Sequence, residues 1–182
     1  MAQLSTLGIV HTSPIMKKYT VILIGLIIIL MVVCVAMFRH KPQSSPVRVI
    51  DVTASQNNLK MIGLSFRLWA GGHNGQFPFN VSQAEGGTRE LCDRDSDGFE
   101  NNPAPVFMAM SNSLWSTKFL VCPNDKTKHA AAGFASLTTN NISYKLRTGA
   151  IVSLDHPSEV LAVDPINGLV LRSDGSVQQG GH

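Results

Sequence analysis

Charge is scarce in this sequence, and acid is scarcer still at its front. Only 15% of the 182 residues are charged, and no aspartate or glutamate occurs before Asp51. Cysteine is also sparse at three residues, too few for a small disulfide-stapled scaffold. The 15 glycines and nine prolines are ordinary counts, which excludes a collagen-like repeat. A hydrophobic share of 44% excludes disorder over most of the length, because disordered chains pair low hydrophobicity with high net charge. The familiar signatures of catalysis are missing as well. The six histidines (11, 40, 73, 129, 156 and 182) show no metal-ligand spacing. There is no G-x-S-x-G, no Cys-x-x-Cys and no phosphate-binding glycine loop, so no residue is assigned a catalytic role and no small-molecule substrate is identified. Gly71-Gly72-His73-Asn74-Gly75 follows a helical pattern and reads as its stop.

The net charge of +3 is unevenly placed. Up to Arg48 the chain carries five bases and no acid; beyond it, ten bases face twelve acids. A nucleic-acid binder concentrates its basic excess on the folded part. Here that part is slightly acidic, which argues against a nucleic-acid partner.

The longest feature is apolar. Tyr19 to Phe38 is a run of 20 residues without a charge, and from Val21 to Phe38 only Gly25 interrupts the apolar residues. Such a run matches the ~20 residues that a helix needs to cross a bilayer. Its leucine, isoleucine, valine and phenylalanine side chains favour insertion by about 5 kcal/mol, with no charge opposing them. The run ends in Met37-Phe38-Arg39-His40-Lys41, without the small residues of a signal-peptide cleavage site. The expectation is therefore a retained single-pass anchor with the lipid bilayer as its partner. Lys17 and Lys18 before the run balance Arg39 and Lys41 after it, so charge leaves the orientation open.

The expected organisation is a flexible tail over 1–18, a transmembrane helix over 19–38, a proline-containing linker over 39–46 and an α+β domain over 47–182. Ser45-Pro46 suits a helix start, and Gly71-Gly72 an end. Between them Leu59, Ile62, Phe66 and Trp69 recur at helical spacing, an apolar stripe through which this helix packs on a partner surface, most simply a sheet. Residues 72–103 read as a long irregular loop, followed by a short helix within 103–112. Strands are expected at 119–122, 142–147, 159–163 and 169–173, then a hairpin turn at Asp174-Gly175 into 176–178. One long helix followed by an antiparallel meander makes the fold class α+β.

Several short segments carry a resemblance. Asn57–Ala70 (NNLKMIGLSFRLWA) with Asn74-Gly75-Gln76-Phe77-Pro78, then Leu120-Val121-Cys122-Pro123-Asn124-Asp125, Ser143-Tyr144 and Ser173-Asp174-Gly175-Ser176-Val177, are spread over most of the chain beyond the anchor. Together with the helix-then-sheet layout, they resemble type II secretion pseudopilins and the wider type IV pilin-like family. The resemblance implies a non-catalytic, membrane-anchored structural or assembly protein. It would sit in the bacterial inner membrane with its C-terminal domain in the periplasm, and its partners would be secretion-system or pilus subunits. A second reading keeps the pilin domain as a tethered periplasmic binding module, with 72–103 as its recognition loop.

Two side-chain groups stand out in that loop and beyond it. Asp93, Asp95 and Asp97 lead into Gly98 with the D-x-D-x-D-G opening of a calcium loop. Ala104 stands where such a loop needs a bidentate glutamate, so the sequence supports either a weak Ca²⁺ site or a solvated turn. No other cofactor is expected. Cys92 and Cys122 suit either a disulfide, in an oxidising compartment, or two free thiols; closing that loop would stabilise the fold by roughly 3.5–4 kcal/mol.

The leader departs from the family pattern. The family has glycine before the cut and glutamate five residues after it, positions held here by Lys18 and Leu23. In lipid that glutamate needs a charged partner, and leucine offers none. The expected outcome is a chain uncleaved at residue 18, checked by N-terminal mass spectrometry of the membrane-expressed protein; a methylated Tyr19 terminus contradicts it.

Overall fold

The computed structural model describes residues 14–39 and 46–180. Much of the expected tail, residues 1–13, and most of the linker, residues 40–45, lie outside the described residues. The chain divides into two units, Met1–Ser44 and Ser45–His182. In the first, helix α1 runs Pro14–Arg39. Among the described residues no helix is long and apolar enough to cross a membrane. Of the apolar run, only Tyr19 and residues 23–34 are described together with their side chains, and the large hydrophobic ones among these are exposed.

The second unit is α+β. Helix α2 spans Pro46–Gly71. Proline suits its first turn, where the missing N–H has no intrahelical partner to lose. The helix ends as the chain turns back at Asn74 (φ 53°) and Gly75 (φ 75°), with the Gly75 N–H capping the Ala70 carbonyl. Leu59, Ile62 and Phe66 on its inner face are fully buried, and Trp69 nearly so. The sheet they pack against is a four-stranded antiparallel meander in the order β1 (Lys145–Leu146), β2 (Val160–Asp164), β3 (Leu169–Arg172) and β4 (Val177–Gln179). Leu169 and Leu171 of β3 are fully buried while Val170 and Arg172 are half-buried, the alternation of a sheet with one face in a core. A register shift between Val160 and Ala162 lets both Leu161 and Ala162 be buried.

Between helix and sheet lies little regular structure. Residues 78–80, 83–85 and 89–91 form single 3₁₀ turns, and helix α3 is the short piece Ala104–Ala109. Phe66 organises this region. Its ring meets Phe77, Phe79 and Phe107 at centroid distances of 5.2, 6.0 and 6.1 Å in edge-on or tilted contacts, the arrangement that ring quadrupoles favour. One side chain thus ties α2 to the start of the loop and to α3.

Two strand expectations are corrected. Residues 119–122 form no strand; Thr117–Leu120 is a 3₁₀ turn whose start is capped by the Ser116 hydroxyl, which accepts from the Lys118 N–H. The carbonyls that a strand would have laddered go instead to the Ser143 N–H (from Leu120) and the Asn58 side-chain amide (from Val121). The strand expected over 142–147 shrinks to Lys145–Leu146, because Ile142 and Tyr144 are buried singly in the core and outside any ladder.

Gly63 sets how closely α2 lies on the sheet. A Cβ there would stand 2.8 Å from Leu171 Cδ1 and 3.2 Å from the Gly175 Cα. Leucine can yield, but the Gly175 backbone sits in a left-handed turn (φ 84°) and cannot easily move. Gly63→Ala is expected to lower stability by about 1–2 kcal/mol in urea unfolding, despite alanine's better helix propensity.

Candidate functional site

Two groups of side chains have more chemistry than the core around them. The first is buried and centred on Asp164, the last residue of β2, which is only 1% exposed. The Asp164-Pro165-Ile166-Asn167-Gly168 turn folds back on this carboxylate. Its Oδ1 accepts from the Ile166 and Asn167 N–H groups at 2.9 and 3.2 Å. Its Oδ2 accepts from Ser55 Oγ at 2.5 Å and Asn167 Nδ2 at 2.7 Å, with the Cys122 thiol at 3.6 Å. Because the single Ser55 proton goes to Asp164, the Tyr144 hydroxyl, 3.0 Å away, donates to Ser55. Burial pushes the Tyr144 phenol up to about 12, so it keeps that proton. The cluster joins α2, the segment after the 117–120 turn, the approach to β1 and the β2–β3 turn.

Ser55, Tyr144 and Cys122 are closed to solvent, so a nucleophile here would meet no substrate. Burial also pushes the Cys122 thiol up, away from the reactive thiolate. The arrangement therefore acts as a structural clasp.

The second group lines an open cleft of about 420 Å³ between the 76–94 segment and the loop after β1. Phe79 forms apolar wall, and Gln76, Asn80, Arg89 and Arg94 supply its polar atoms. Arg94 reaches Gly149 with its Nη1 end, where a Cβ would come within 2.6 Å of that atom; Gly149 is at φ 132°. Arg89 pairs with Glu90 at 3.0 Å, both exposed. Cys92 also lines the cleft. Burial, and after it the nearby Glu100 carboxylate, push its thiol up to about 11, so it is protonated and weakly nucleophilic at neutral pH.

The residues singled out from sequence are placed as follows. Asp93, Asp95 and Asp97 follow one another along the 92–101 segment, and among the described residues no group of three or more His, Cys, Asp or Glu side chains could hold a metal ion. Backbone and amide donors meet two of the three carboxylates, those of Asp95 and Asp93. Asp95 Oδ1 accepts from the N–H groups of Asp97 and Phe99, and Asp93 Oδ2 from Asn101 Nδ2. The segment closes as a small hairpin, bridged between Arg94 and Glu100. Cys92 and Cys122 are both free and belong to different clusters: the first donates to the Thr88 carbonyl, the second contacts Asp164 and Asn167. Leu59, Ile62, Phe66 and Trp69 are core residues of the second unit.

Sequence reasoning missed Arg94, Gln76 and Asn80 as a group, and it missed Asp164. Arg94 stands inside the motif read for its aspartates. No family model matches the chain, and neither a curated protein nor a solved structure does.

Removing the Asp164 carboxylate strands donors from Ser55, Asn167 and Cys122 together. Asp164→Ala is expected to cost about 3–5 kcal/mol, a large share of a domain's total, read as a lowered urea midpoint.

Proposed function

We propose that this chain is a membrane-tethered, pilin-like structural or assembly protein. On this reading the apolar run of residues 19–38 lodges in the bacterial inner membrane and the α+β unit works in the periplasm. The observation that carries it is the charge-free run itself. From Leu23 to Val33 its described large side chains are 49–71% exposed, an apolar surface that water penalises and that lipid or packed helices would cover. The long helix laid on an antiparallel meander supports the same reading, since that is the layout of the pilin-like family.

Lys18 and Leu23 weigh against ordinary filament entry, and the cleft beside Arg94 favours a second reading, a tethered binding module. Both readings need the tether. They differ in what the domain contacts.

Alkaline carbonate extraction is expected to leave the intact chain in the membrane pellet, and release into the soluble fraction contradicts both readings. Co-purification from detergent with secretion or pilus subunits supports assembly, while their absence counts against it.

A further inference from the structure

We infer that the cleft between the 76–94 segment and the loop after β1 binds a small organic monoanion through its carboxylate, with Arg94 as the recognition residue. This deepens the tethered-module reading and is independent of filament assembly.

No acid lines the cleft, and two guanidinium groups do. Arg89 is already matched by Glu90, whereas the one ion pair among the described residues leaves Arg94 without a carboxylate. The buried acid bridged to it across the hairpin, Glu100, accepts instead from the Asp93 N–H at 2.8 Å and the Thr148 hydroxyl at 3.2 Å. Arg94 thus brings to the cleft a guanidinium with no carboxylate bonded to it, and one such group suits a monoanion better than a phosphate dianion.

Geometry narrows the ligand further. Arg94 makes a single long hydrogen bond, 3.5 Å to the Thr148 carbonyl, so most of its donors are unspent. The guanidinium meets Gly149 end-on, where a Cβ would stand 2.6 Å from Nη1 and 3.8 Å from Cζ, so the missing side chain there gives it room and turns its other edge to the cleft. A planar fork of donors held in this way matches the two oxygens of a carboxylate. Asn80 uses its amide nitrogen on the Val152 carbonyl, so its oxygen remains to accept from the ligand. Gln76, also on the wall, adds an amide that can donate or accept. Phe79 and Ala150 offer apolar surface for a carbon skeleton. The volume falls in the range of small-molecule sites. A carboxylate flanked by a hydroxyl or amide N–H meets all these demands. Uronic acids and the C-terminal end of a short peptide both have that chemistry.

The test is an NMR titration of the full chain in detergent micelles, following the arginine Nε–Hε signals. The probes are D-galacturonate, N-acetyl-glycylglycine, their uncharged counterparts D-galactose and N-acetyl-glycylglycine amide, and inorganic phosphate. A saturable shift of the Arg94 signal is expected with at least one carboxylate, with a Kd on the order of 0.1–1 mM, modest for a small ligand. The uncharged counterpart should bind at least tenfold more weakly, and the stronger of the two acids identifies the source as sugar or peptide. Arg94→Gln should weaken binding at least tenfold. Ala150→Trp, at an exposed position that leaves the guanidinium intact, should block it by filling the cleft. The inference fails if neither acid saturates by 20 mM on that scale, if an uncharged counterpart binds equally, if phosphate binds more tightly than both acids, or if Ala150→Trp retains full affinity. None of these results bears on membrane retention or co-purification, so the two proposals fail separately.

Discussion

A carboxylate with no ion-pair partner among the described residues sits at the centre of the α+β unit. Asp164 is buried, and transferring an ion out of water is unfavourable unless its oxygens are met by donors. All its partners here are neutral: two turn amides, the Ser55 hydroxyl, the Asn167 side chain and the Cys122 thiol. These donors come from three places in the chain. The carboxylate is therefore satisfied only when α2, the 121–124 segment and the β2–β3 turn are all in place. Apolar packing alone tolerates sliding, because it has no direction. Hydrogen bonds at 2.5–3.2 Å do not.

The same constraint explains how so little regular structure makes a defined domain. The sheet is narrow and β1 is two residues long. Helix α2 supplies the other layer, held close by Gly63 at one point, by Ser55 at the clasp and by the Phe66 ring cluster. With those contacts fixed, the 72–103 segment can remain irregular and still be placed. Its 3₁₀ turns are short, but Phe77 and Phe79 anchor its start and Glu100 its end, through the Asp93 N–H and Thr148. The cleft is what remains between the anchored ends. Its arginine projects from a hairpin whose shape comes from aspartate side chains bonding to backbone.

Legibility in the sequence followed the range of the forces involved. Helix α2 announced itself through Pro46, the Leu59–Ile62–Phe66–Trp69 spacing and Gly71-Gly72, all local signals. The β3–β4 hairpin did so through Asp174-Gly175, where the Asp174 carboxylate accepts the Ser176 N–H and glycine takes the left-handed angle. Residues 119–122 misled because Phe, Leu, Val and Cys suit a strand on propensity. The deciding partners there, Asn58 and Ser143, are more than twenty residues away in sequence. The aspartates of 93–97 carry the spacing of a cation loop, while short-range donors, the N–H groups of Asp97 and Phe99 and the Asn101 amide, meet the Asp95 and Asp93 carboxylates.

Periodicity, turn chemistry and the long apolar run were sufficient to set the fold class, the bounds of α2 and the expectation of a tether. These depend on residues within a turn or two of each other, where backbone geometry and water are the main judges. Tertiary structure alone decided that Ser55, Tyr144, Cys122 and Asp164 share one polar cluster, that Cys92 and Cys122 stay apart, and that Arg94 faces a cleft beside Gly149. Those outcomes rest on groups brought together across 42 to 109 residues of chain. No local pattern encodes such a meeting, because it exists only after the helix has closed on the sheet.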